Sequence, residues 1–107
     1  MHVIVWEFHV ADGKREAFER AYGTHGPWAV LFGKAIGYKG TELLRDEGDP
    51  SRFITIDRWE TPQDFDNFKK AFGPAYEALD RELEGLSARE VKIGVFIDQQ
   101  VVPLGVA

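Results

Sequence analysis

The stretch Phe53 to Tyr76, FITIDRWETPQDFDNFKKAFGPAY, decides how the rest of the chain is read. Its first half alternates: Phe53, Thr55, Asp57 and Trp59 fall on one side of an extended segment and Arg52, Ile54, Ile56 and Arg58 on the other, the period-two pattern of a strand. At Thr61-Pro62-Gln63-Asp64 the period changes. Thr61 caps a helix, Pro62 suits the first helical position because no amide donor is needed there, and Asp64 complements the positive end of the dipole. Phe65, Phe68 and Phe72 then recur at helical spacing until Gly73-Pro74, which predicts a break, with a further helix carrying Tyr76, Leu79 and Leu83 to about Leu86.

Upstream, Tyr38 to Arg45 predicts a strand that enters this one through the polar turn Asp46 to Ser51, most simply an antiparallel hairpin. Before it, Pro27 opens a short helix with Trp28, Leu31 and Phe32 on one side, and Lys14 to Tyr22 forms another with Ala17, Phe18, Ala21 and Tyr22 in a stripe. The first strand, His2 to Val10, is apolar on both sides: Ile4, Trp6, Phe8 and Val10 on one, Val3 and Val5 on the other. Ser87 to Asp98 is the last strand, with Val91, Ile93, Val95 and Ile97 expected on one face. The order β-α-β-β-α-β defines an α+β, ferredoxin-like antiparallel sheet with its helices on one face. Strands apolar on both faces need cover on both, so the open face is expected to pair with a second copy in a homodimer.

Composition bounds the possibilities. The 107 residues make one domain, residues 1–98, followed by an apolar tail, 99–107, expected to lie along the dimer partner. A net charge of −5 with scattered Lys and Arg argues against nucleic acid as a partner. The lack of cysteine removes thiolate catalysis, disulfides and zinc-thiolate sites and fits a cytoplasmic location. The N-terminal apolar run, interrupted by Glu7 and without a basic leader, does not read as a signal peptide, and no run is long enough to span a membrane. Walker, nucleophile-elbow and HExxH motifs do not occur, which argues against phosphoryl transfer, serine hydrolysis and zinc proteolysis.

The passage Trp59-Glu60-Thr61-Pro62-x-x-Phe65-x-x-Phe68, the aromatic helix it opens, and the glycine-spaced lead-in Ala35-Ile36-Gly37-Tyr38-Lys39-Gly40 together resemble the antibiotic biosynthesis monooxygenase superfamily of dimeric α/β-barrel proteins. The resemblance runs from His2 to about Asp98. It implies a homodimer with a pocket in each subunit between sheet and helices, and members that include quinone-forming oxygenases acting on polycyclic phenols and haem-degrading enzymes. The haem-degrading branch carries an Asn on the first strand, a Trp in the middle helix and a His some ten residues later. Here the first strand offers Trp6, Glu7 and Phe8, Phe68 stands near the Trp position and Ala78 near the His position, so haem degradation is disfavoured.

The expected activity is therefore cofactor-independent oxygenation of a hydrophobic, phenol- or quinol-like aromatic molecule, with a non-catalytic dimeric binding or structural module as the alternative. His25, in the loop between two helices, and Tyr76 are the candidate catalytic groups, His25 because its ordinary pKa of about 6.5 suits proton transfer at neutral pH. Tyr22, Trp28, Phe32, Trp59, Phe68 and Phe72 are the candidate substrate-binding residues. For Trp59 and the phenylalanines, pocket wall and core anchor are both open readings, and His25 reads also as a solvated loop residue or a helix cap. Tyr22 and Tyr38 are further possible hydrogen-bond donors to a substrate oxygen. Glu7 and His9 share a strand face, but His2 has the other parity and no third ligand joins them, so no metal is expected. Arg45-Asp46 and Asp57-Arg58 read as solvated or structural charge pairs.

Overall fold

The computed structural model describes residues 1–99. Strand β1 (His2–Val10) leads through helices α1 (Arg15–Tyr22) and α2 (Pro27–Phe32) to β2 (Tyr38–Arg45) and β3 (Arg52–Trp59). Helix α3 (Pro62–Leu83), a 3₁₀ turn (Glu84–Leu86) and β4 (Ser87–Ile97) complete the described chain. The four strands form one antiparallel sheet in the order β2-β3-β1-β4, the ferredoxin-like arrangement expected from the sequence. Residues 100–107, most of the tail expected to reach a partner, lie outside the described residues. Among the described residues no helix is long and apolar enough to cross a membrane.

The hairpin turn is closed by its aspartates: Asp46 accepts from the amides of Gly48 and Asp49, and Asp49 from the amide and hydroxyl of Ser51. Helix α3 starts as its sequence dictates, with the Thr61 hydroxyl accepting from the Asp64 amide at 3.1 Å and Pro62 in the first turn. The break expected at Gly73-Pro74 is a kink instead. Phe72 leaves helical geometry at φ −117°, ψ 17°, Pro74 lies inside the continuing helix, and the last turn before β4 is 3₁₀. Proline removes one backbone hydrogen bond and crowds the preceding turn, which here bends the helix rather than ending it.

The face expected for β4 needs a correction. Its pairing with β1 slips between Val5↔Gly94 and Trp6↔Lys92, leaving Ile93 as the extra residue of a β-bulge. A bulge reverses the alternation beyond it. Val95 and Ile97, opposite Ile4 and His2, share the helix-covered face, whereas Val91 sits opposite Glu7 on the open face and Glu90, opposite Phe8, turns toward the helices.

On the covered face the buried side chains gather into two clusters. One is built on Ile4, Trp28, Leu31, Phe32, Trp59 and Phe68, the other on Phe8, Val10, Phe18 and Phe53. Trp6 and Tyr22 pack against both. Trp59 and Phe18 have no exposed surface at all. Burying rings of this size contributes roughly 2–3 kcal/mol each, so these are the anchors of the fold. Among the described residues the opposite face carries no helix. It presents Val3, Val5, Ile54, Ile56, Leu44 and Phe96, flanked by the ion pairs Arg52–Glu7 and Arg58–Glu42.

Gly37 ties the lead-in of β2 to the start of α3. Its φ is +92°, and a Cβ there would lie 2.3 Å from the Asp64 carboxylate and 2.6 Å from Asp64 Cβ. Gly37→Ala is expected to destabilise the protein by about 1–3 kcal/mol, from the strained backbone and the displaced first turn of α3 together. Urea unfolding monitored by tryptophan fluorescence reads this directly, and an unchanged midpoint would contradict it.

Candidate active site

Between the two clusters the sheet lacks bulk. The covered face of β3 reads Phe53, Thr55, Asp57, Trp59: a large ring at each end and two small polar residues in the middle. Thr41 of β2 lies opposite Asp57 and extends the polar strip. The helices bridge this strip without filling it, leaving a half-open cavity of about 170 Å³. Roughly 150 Å³ is enough to enclose one benzene ring. Its apolar walls are Trp6 and Phe8 from β1, Tyr22 from α1, Trp28 and Phe32 from α2, and Tyr76 from α3 beyond the kink. Trp28 meets Tyr76 edge-on with ring centroids 5.2 Å apart, and Tyr22 packs on Phe8 at 4.8 Å. The polar lining is Thr41, Thr55 and three carboxylates: Asp57 on the floor, Asp80 one helical turn after Tyr76, and Glu90 on β4.

Asp57 is the chemically distinctive member. Its Oδ1 accepts from the Thr41 hydroxyl at 2.6 Å, and the Thr41 oxygen lies 2.5 Å from the Tyr38 hydroxyl. Threonine has one hydroxyl hydrogen, and here it is given to Asp57, so Tyr38 is the donor to Thr41 and the chain runs Tyr38 → Thr41 → Asp57. Burial outweighs that hydrogen bond and pushes the Asp57 carboxyl up to about 6. Burial pushes the Tyr22 phenol up to about 12, assisted by the negative charge of Glu90 and Asp80. Tyr76 is raised for the same reasons, Tyr38 chiefly by burial, and Glu90 by burial and by Asp80. A carboxyl group raised toward neutrality in an aromatic cavity has the character of a general base.

The residues singled out from the sequence separate into three groups. Tyr22, Trp28, Phe32 and Tyr76 line the cavity. Trp59 and Phe68 are closed into the core with centroids 5.3 Å apart, and Phe72 packs half-buried on the same cluster, so these three brace the wall from behind. His25 stands exposed on the turn before α2 and is not among the lining residues. Asp57, expected to be a solvated or structural charge, is instead enclosed, and its signal was its parity: it shares a strand face with Phe53 and Trp59. Asp80 shares the helical row of Tyr76 at i, i+4, whereas Glu90 reaches the site only because of the bulge. Among the described residues no cluster of His, Asp and Glu is arranged to hold a metal ion.

Fold and cavity define a small ferredoxin-like α+β protein with a ligand-sized space between sheet and helices. Residues 1–79 match the family described as antibiotic biosynthesis monooxygenase, and the chain belongs to that family. No curated protein matches it. Its fold is shared with SnoaB, a cofactor-independent oxygenase from Streptomyces nogalater, at 23% identity and a TM-score of 0.69, covering 95% of this chain and 96% of that one. It is also shared with the Pseudomonas aeruginosa protein PA3566, at 17% identity and a TM-score of 0.67, covering 92% and 94% of the two chains. The Shewanella oneidensis protein SO0527 is a third relative in structure, at 19% identity and a TM-score of 0.66, covering 89% and 87%.

The enclosed carboxyl has a stability signature. Its folded-state value, about 6, lies above the ordinary 3.8, so between those values the fold holds a proton that the unfolded chain releases, and stability falls as pH rises through that window. Asp57→Asn keeps the acceptor for Thr41 and removes the charge. It is expected to raise stability at pH 7 by on the order of 1–3 kcal/mol and to be neutral near pH 4. Thermal or urea unfolding at the two pH values tests this, and destabilisation at pH 7 would contradict it.

Proposed function

We propose that this protein is a cofactor-independent monooxygenase that oxidises a phenol- or quinol-like aromatic molecule in the cavity, with Asp57 as the general base. The observation that carries the reading is an ionisable carboxyl raised to about 6 on the floor of an aromatic cavity. Membership of the antibiotic biosynthesis monooxygenase family and the fold shared with a cofactor-independent oxygenase support it.

The walls of Trp28, Phe32 and Tyr76 would hold a flat ring and exclude water, and the cavity's size suits one ring inside with the remainder of the molecule at the mouth. Asp57 would take a proton from an activated CH₂ para to a phenol or within an anthrone-like ring, leaving a delocalised carbanion. The carbanion gives one electron to O₂, the radical pair combines to a peroxide anion, and the proton returned by Asp57 makes it a hydroperoxide. Loss of water from that hydroperoxide leaves a carbonyl, so one oxygen atom of O₂ enters the product and the other leaves as water. The chain's own part is to desolvate, orient and deprotonate a substrate that reduces O₂ itself. Tyr76 would donate a hydrogen bond to a substrate oxygen, a role its raised phenol, neutral at physiological pH, suits. Asp57 takes the role expected of His25, which is too exposed to meet a substrate in the cavity.

Oxygen uptake with a panel of anthrone-like phenols, and with haem as a contrast, tests the reading. Uptake is expected with a phenol and not with haem. Asp57→Asn is expected to lower kcat/KM by roughly 10²–10⁴-fold, with His25→Ala close to wild type. The acid limb of the pH profile should fall near pH 6, where Asp57 takes up its proton. Uptake with none of the panel would leave the protein a small-molecule-binding module.

The working unit in this reading is a homodimer that covers the open sheet face. Val3, Val5, Ile54, Ile56 and Phe96 form an apolar stripe there with no helix over it, and burying such a surface stabilises by about 25 cal/mol per Å². Light scattering should give twice the chain mass, and Val5→Lys, at the centre of the stripe, should give a monomer. A monomeric wild type would refute the pairing.

A further inference from the structure

The cavity has a charge pattern that the oxygenase reading leaves unexplained. Among the described residues its lining carries three carboxylates, Asp57, Asp80 and Glu90, and no lysine, arginine or histidine. Several acidic groups elsewhere are paired: Glu7 and Asp46 with Arg52, Glu42 with Arg58, Glu60 with Lys39, and Asp98 with the N-terminal amine. Among the described residues none of the three cavity carboxylates has a cationic partner. Two lysines neighbour lining residues without pairing with these carboxylates. Lys69 lies over the Phe65 and Tyr76 rings outside the lining, and Lys92, opposite Trp6 on the same sheet face, is exposed. Asp80 and Glu90 are exposed and Asp57 is the enclosed member, but like charges gathered beside an aromatic wall without a counter-charge repel one another, and a bound cation relieves that repulsion.

The walls suit the same partner. Six aromatic side chains line the space, and the faces of their rings are the negative ends of their quadrupoles, which attract a cation within about 6 Å. A second feature points to a ligand independently of the charges. Trp28 lines the cavity, is only 9% exposed, and its buried indole N–H approaches the Tyr22 hydroxyl without forming a hydrogen bond of good geometry, so a hydroxyl on a bound molecule would serve it as a better-placed acceptor.

We propose that the cavity selects an organic cation: an aromatic molecule bearing a protonated amine, its ring against Trp28 and Tyr76 and its nitrogen toward Asp80 and Glu90. An anionic aromatic acid of the same shape is repelled. The proposal deepens the ligand-binding part of the function given above by naming the substrate class, and it holds whether or not the ligand is oxidised.

Binding without turnover separates the two. Three probes of one shape and different charge, 1-naphthylmethylamine, 1-naphthalenemethanol and 1-naphthoate, are titrated into the full-length protein at pH 7.5 by calorimetry and by tryptophan fluorescence. The cation should bind at least tenfold more tightly than the alcohol, and the naphthoate more weakly than either. In the Asp80→Asn, Glu90→Gln double variant the cation's advantage should fall to threefold or less while the alcohol binds as before, which also shows that the variant is folded. Raising NaCl from 50 to 500 mM should cut the wild-type advantage several-fold. Equal or tighter binding of the alcohol or the naphthoate overturns the proposal, as does a cation preference that survives in the double variant, or failure of all three probes to bind. Loss of the preference beside oxygen uptake with a neutral phenol would remove this proposal and keep the oxygenase. A clear preference without uptake by any phenol would do the reverse.

Discussion

The covered face of β3 places a constraint on everything packed over it. Phe53 and Trp59 stand two positions apart from Thr55 and Asp57, and each ring founds its own buried cluster with helices recruited to match: α1 brings Phe18 to Phe53, and α2 and α3 bring Phe32 and Phe68 to Trp59. Close packing, the rule of protein interiors, is satisfied at both ends of the strand and fails in its middle, because threonine and aspartate are too short to meet a helix at that distance. The cavity is the unpacked interval between two cores. Trp6 and Tyr22, which touch both clusters, keep the interval from collapsing.

Electrostatics follows from the same placement. A carboxyl group enclosed beside aromatic rings is disfavoured as an anion, yet among the described residues the one group that hydrogen-bonds Asp57 is the Thr41 hydroxyl, itself held by Tyr38. This linear chain orients one oxygen of the carboxyl group and leaves the other without a partner among the described residues. A structural aspartate at such a position would be met by a cation or by several amides. Enclosing a carboxyl group with so little support gives up stability, the pattern expected where function and packing compete.

Much of the fold was legible in the sequence because it rests on periodicity and on turn chemistry. The alternation of β1 and β3, the Thr61-Pro62 helix start and the aspartate-rich hairpin are each written in adjacent residues and survive unchanged in the structure. The site was legible only in part. Tyr22, Trp28, Phe32 and Tyr76 sit on predicted helix stripes, but the same stripes hold Trp59, Phe68 and Phe72 behind the wall, and periodicity alone does not distinguish the first layer from the second. His25 was drawn in by its chemistry, and the direction a loop side chain takes is set by contacts that no spacing rule encodes. Asp57 was misread because its neighbour Arg58 suggested a pair. In a strand, neighbours point to opposite faces, and Arg58 reaches Glu42 on the far side of the sheet.

The bulge at Ile93 sets which side chains of β4 reach each face of the sheet. Were it ironed out at the same chain length, Ile93 would pair with Trp6, and every residue before it would move one place along β1 and turn to the other face. Glu90 would leave the cavity for the open face, and Val91 would take its place among the aromatic rings. Deletion of Ile93 would instead keep Glu90 opposite Phe8 and Val91 opposite Glu7, so the lining of the cavity and the character of the open face rest together on the register of the last strand.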